Sequence, residues 1–107
     1  MPTYFIASLV KEESRLPSLF TIGGYRVFFW SNEGDEPVHV HVCKGVPSAS
    51  STKVWLTRQG GCIVASNPNK IPASTLKDLL DIISAQHEFI CNRWKEFFVT
   101  DQITFFC

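Results

Sequence analysis

GYRVFFWSNEGDEPVHVHVCKG, residues 24–45, decides how this chain folds. Its first third, Tyr25-Arg26-Val27-Phe28-Phe29-Trp30, is aromatic and β-branched, which suits a pleated, half-buried surface. Ser31 to Pro37 is polar, with Gly34 and Pro37 as turn punctuation. Val38 to Val42 alternates again. The stretch therefore predicts a β-hairpin. Its loop carries Glu33, Asp35 and Glu36, and its return strand carries His39 and His41.

The pattern before it is also extended. MPTYFIASLV (residues 1–10) predicts a first strand, and KEESR (11–15) a solvated turn. LPSLFTI (16–22) is a second apolar segment, which Pro17 confines to a strand start or a sheet edge. Gly23-Gly24 then turns the chain tightly. Past Gly45, Val46 to Thr52 is small and polar, a loop. Lys53 to Thr57 and Cys62 to Ala65 predict two further strands joined by the turn Arg58-Gln59-Gly60-Gly61. Short connections throughout imply a mainly antiparallel sheet.

After Asn69 the period changes. From Pro72 to Phe98 the apolar residues Leu76, Leu79, Leu80, Ile83, Ile90, Trp94 and Phe97 recur at helical spacing. This predicts one long amphipathic helix, opened by a capping box at Thr75 and Asp78 or by Pro72 in its first turn. The expected fold is α+β: a mainly antiparallel sheet packed against one long C-terminal α-helix, in two layers. Val99 to Cys107 is a candidate last strand beside residues 1–10.

The totals fit one globular domain over residues 1–107. Hydrophobic residues make up 45% and charged residues 19%, with nine Phe and three Trp to fill a small core. A chain of this length buries roughly two-thirds of its unfolded surface. The formal net charge of +0 removes the composition argument for nucleic acid, which normally needs a basic surface. The first ten residues lack the basic start and long apolar core of a secretory signal, and no run approaches a membrane span. The expectation is a cytoplasmic protein, without a membrane partner, whose four cysteines stay reduced as small buried hydrophobes. Gly23-Gly24 and Gly60-Gly61 lack the strand–loop–helix context of a phosphate loop, and no Ser-nucleophile motif appears. No cofactor is expected.

The chemistry concentrates in the hairpin. Side chains two apart on a strand point the same way. His39, His41 and Cys43 thus line one face, with Val40 and Val42 on the other. The valines are expected against the helix and the imidazoles on the open face or at the rim. Arg26, on the preceding strand, is expected across from them. Three readings stay open. His39 and His41 can serve as general acid and base with Arg26 stabilising a phosphoryl transition state and Glu33 orienting, the minimal set for metal-independent RNA cleavage. The same His-x-His pair can hold a transition metal with Cys43 or Glu33 as third ligand. Or the histidines are structural and the hairpin is a protein-binding surface. His87, between Ile83 and Ile90, reads as a hydrogen-bonded core histidine. An uncovered apolar sheet face or edge strand would favour a homodimer.

The combination Tyr25-Arg26-Val27-Phe28-Phe29, Ser31-Asn32-Glu33, Glu36-Pro37 and His39-Val40-His41-Val42, followed by KVWL and a closing NRWKEFF, resembles the bacterial DUF4160 family of unknown function. The resemblance spans residues 16–98, leaving 1–15 as an extension and 99–107 as a tail. It implies a small sheet-plus-helix protein, often encoded beside a small partner domain in arrangements that look like toxin–antitoxin pairs. A small cognate protein is then the expected partner, and RNA the expected substrate if the chain is an enzyme. Cys43 stands where many members would carry an acidic residue. If the family site uses a carboxylate there, this chain substitutes a thiol or lacks the function.

Overall fold

Alternation and turn chemistry set residues 18–66 into five short strands, each antiparallel to its neighbour. A computed structural model of the chain describes residues 18–107. The strands are β1 (Ser18–Ile22), β2 (Tyr25–Phe28), β3 (His39–Lys44), β4 (Thr52–Leu56) and β5 (Cys62–Ser66). They form a meander in the order β1-β2-β3-β4-β5. The tight β1–β2 turn needs the positive φ of Gly23 and Gly24, +52° and +88°, which glycine adopts without a Cβ penalty. The expected strand over residues 1–10 and the turn over 11–15 lie outside the described residues.

Registers fix the two faces. Phe28 lies opposite His41 and Val27 opposite Val42; on the other side of β3, Val40 lies opposite Val54 and His39 opposite Trp55. Val27, Val40, Val42 and Val54 therefore share one face. They are fully buried, in one cluster with Leu79, Ile83, Ile90 and Trp94 from the C-terminal half. The valines meet helical residues, as their spacing implies.

The helical region is two helices and not one. α1 (Ala73–Ala85) and α2 (His87–Phe98) are separated by Gln86, whose ψ of 16° takes it out of the helical path. Its N–H still donates to the carbonyls of Ile82 and Ile83, and its own carbonyl accepts from Ile90. Gln86 thus keeps partners on both sides of the break, and Ile83 and Ile90 are fully buried on either side of it. The capping box at Thr75 is not formed. Pro72 occupies the cap with no side-chain bond, and Thr75 sits inside the first turn.

The tail is extended but joins no strand among the described residues. The Thr104 carbonyl accepts from Val38 N–H (2.9 Å) and the Cys107 carbonyl from Arg58 N–H (2.8 Å). Its aromatic rings do the rest: Phe106 stacks on Trp55 at 4.7 Å and 7°, and Phe105 stacks on His87. All four cysteines are free thiols. Cys43 and Cys91 are buried as expected, while Cys107 is exposed. Among the described residues no helix is long and apolar enough to cross a membrane.

Candidate functional site

The loop between β2 and β3 brings its one inward-facing carboxylate back onto the return strand. Glu33 is held by its own turn: its Oε1 accepts from the Trp30 N–H at 2.8 Å. From there it reaches both histidines. His41 Nε2 lies 2.9 Å from Glu33 Oε2 and 3.1 Å from Oε1, and His39 Nε2 lies 2.9 Å from Oε1. The ligating atoms of Glu33, His39 and His41 all fall within 4.8 Å of one another.

The two imidazoles are held differently. The Pro37 carbonyl accepts from His39 Nδ1–H at 2.9 Å. A carbonyl only accepts, so Nδ1 carries a proton. His39 Nε2 is fully buried and close to Glu33, yet it makes no well-directed hydrogen bond. The distance is that of an ion contact, and the approach is too oblique for more. His41 bonds to both carboxylate oxygens and retains a little exposure. Burial alone would push the Glu33 carboxyl up; the contacts from His39 and His41 and the Trp30 N–H outweigh it and hold the carboxyl well below the usual carboxylate range.

Aromatic rings wall this cluster. Phe28 and Trp30 lie against His41, with centroids at 5.5 and 6.3 Å. Trp55 and Trp94 lie against His39 at 5.5 and 5.3 Å. The imidazoles are consequently not on an open face: His39 is 0% and His41 8% exposed. The expectation of a solvent-facing pair is corrected by the loop, the Trp94 side chain from α2 and the Trp55 side chain of β4, which together cover them.

The other candidates disperse. Arg26 lies on the same face as His41 but one pleat further along, opposite Cys43, and its Nε donates to Ser18 Oγ at 2.8 Å. Cys43 is directed toward the Gly45 carbonyl at 3.7 Å. Glu36 pairs with Lys53 at 2.8 Å, and Asp35 is exposed. His87 donates from Nε2 to the Thr57 carbonyl at 2.7 Å, a helix-to-sheet tie. Two features carried no sequence signal for their role. The Pro37 carbonyl that sets the His39 tautomer is one. Gly34 is the other, because a Cβ there would fall 2.6 Å from the Phe98 ring.

An antiparallel five-stranded meander followed by two helices, with a His–His–Glu cluster at the loop end of its second hairpin, defines a small α+β domain. Residues 24–95 match the family model described as Domain of unknown function (DUF4160), and the chain belongs to that family. Comparison with curated proteins and with solved structures gives no match.

Proposed function

We propose that this chain is the partner-binding component of a toxin–antitoxin-like pair, acting through its surface and not by cutting RNA. The observation that carries this reading is the burial of the imidazole pair. Metal-independent RNA cleavage needs both groups within hydrogen-bond reach of a bound 2′-hydroxyl and leaving oxygen. Here His39 is sealed among Trp55, Trp94 and Glu33, and Arg26 is engaged by Ser18. A neutral formal charge supplies no electrostatic pull on RNA.

A surface for a protein partner is available on β5. Among the described residues it pairs on one side only, with β4, and Ile63 on it is 41% exposed. A partner strand can add to such an edge through main-chain bonds, with side-chain contacts giving selectivity. The test is co-expression with a small protein encoded beside this chain, the arrangement the family resemblance implies. The reading expects a stoichiometric complex on size exclusion, weakened by Ile63→Lys and untouched by Arg26→Ala. Purified chain that cleaves RNA, and loses that activity in a folded His41→Gln variant, would replace this reading with the nuclease.

A further inference from the structure

We propose that Glu33, His39 and His41 form a binding site for a divalent transition ion of the zinc class, with a fourth position open toward solvent beside His41. The argument starts at His39. Its Nδ1–H is committed to the Pro37 carbonyl, the arrangement that metal-ligating histidines use to fix tautomer and ring orientation. Nε2 then faces the Glu33 carboxylate at 2.9 Å. If Nε2 is bare, two lone pairs confront one another. If it is protonated, a buried cation lacks an aligned acceptor. Either state leaves a fully buried polar atom poorly served, and such atoms are costly. A cation held between Nε2 and the carboxylate serves both.

The donor set and its spacing fit. Two imidazoles and one carboxylate suit borderline divalent ions, and three protein ligands leave a position for water. With metal–nitrogen distances of about 2.0–2.1 Å, tetrahedral ligands sit roughly 3.3 Å apart. The two contacts to Glu33 are 2.9 Å each, and the widest ligand separation is within 4.8 Å. Opening the 2.9 Å contacts to that spacing takes about 0.4 Å, and closing a 4.8 Å separation takes about 1.5 Å, shared between two side chains. Phe28, Trp30, Trp55 and Trp94 around the cluster lower the local dielectric, which strengthens binding of a cation to Glu33. Cys43 stays outside, its thiol aimed at the Gly45 carbonyl. The chain's three tryptophans are three of those four rings, so a quenching ion reports from within.

The experiment uses the full chain, its purification tag removed and metal stripped, titrated with Co²⁺ and then Zn²⁺. The expected result is one saturable Co²⁺ per chain with visible ligand-field bands and quenched tryptophan emission, both reversed by Zn²⁺, and proton release on binding. Glu33→Gln and His41→Gln, each confirmed folded by circular dichroism, should weaken binding by more than about tenfold, since losing even an outer-shell partner costs about 10–100-fold. Cys43→Ser should bind like wild type. No saturable Co²⁺ or Zn²⁺ binding at millimolar ion by folded wild type overturns the site. So does binding that survives both ligand variants, which would put the ion elsewhere. Neither result touches the partner-binding reading, whose complex forms or fails independently.

Discussion

Glu33 shows how much one side chain can organise. It closes its own turn through Trp30 and meets both histidines, so replacing it should cost more than a surface carboxylate would. Glu33→Gln in metal-free protein is expected to lose about 1–3 kcal/mol at pH 7, the range for charge-assisted bonds in a partly buried place. The sign of the pH dependence follows from the lowered carboxyl. An ordinary unfolded Glu takes up its proton near pH 4.3, before the folded one does. The stabilisation is therefore complete above that pH and fades as pH falls below it toward the folded value. Urea melts at pH 7, 5 and 3 should show the wild-type advantage shrinking at pH 3; an unchanged advantage would assign the effect to shape. Gly34→Ala makes a second residue-scale case. Its Cβ would press into Phe98, and overpacking of this kind costs about 1–3 kcal/mol. Thermal melts should show the loss, and Phe98→Leu should recover part of it. Much of this site was legible in the hairpin pattern: the shared face of His39 and His41, and Glu33 in the loop above them. Cys43 was not excluded by pattern because strand alternation gives a face but no position along it. Two residues on is about 6.6 Å away, beyond the reach of the Glu33 loop.

At the scale of elements, the helix ends and the tail separate propensity from packing. The spacing from Leu76 to Phe97 is continuous, and nothing at Gln86 breaks helices by composition. Gln86 keeps its bonds to Ile82, Ile83 and Ile90, and the break lets Ile83 and Ile90 both be buried, a tertiary effect that local periodicity does not encode. That is why periodicity predicted one helix. The C-terminus of α2 is a sharper case. Val99 caps it in the left-handed region at φ 52° while 88% exposed, a conformation that disfavours a β-branched side chain. Glycine is the usual residue there. Val99→Gly is expected to stabilise by about 0.5–1 kcal/mol, read as a higher Tm; a lower Tm would mean that the valine makes contacts its exposure conceals. The tail reads as a strand because ITFF is apolar, yet its backbone meets Val38 and Arg58 through the Thr104 and Cys107 carbonyls while Ile103 and Phe105 pack against the core. Deleting residues 101–107 removes the Phe106 stack on Trp55, worth about 0.5–1.5 kcal/mol beyond its burial, along with both backbone bonds. Tm should fall by more than about 5 °C and Trp emission should shift to the red.

For the whole molecule, the decisive quantities are charge and uncovered apolar area. The antiparallel sheet and the helical character of the C-terminal half, though not its division into two helices, were readable from two periodicities, 2 and 3.6, and the absence of formal net charge was readable by counting. The closed histidine face was not, because it depends on a loop, a helix residue and a neighbouring strand's Trp55 meeting over one strand. Those same distant contacts leave other apolar groups outside: Ile63, Phe89 and Phe106 are 41%, 42% and 58% exposed. With pI near 6.8, no like-charge repulsion keeps copies apart at neutral pH. An edge strand that is free on one side among the described residues gives them a place to meet. The chain alone should therefore self-associate reversibly at pH 7, its weight-average mass rising above 12.1 kDa with concentration in sedimentation equilibrium. Raising the pH to 9 adds net negative charge and should lower the association. Ile63→Lys, which puts a charge on the β5 edge, should lower it at both pH values, while Ala49→Lys in the exposed β3–β4 loop should act only through net charge. Association lost equally in both variants would point to charge alone, and a strictly monomeric wild type would remove β5 as a self-pairing edge and leave it to a different chain.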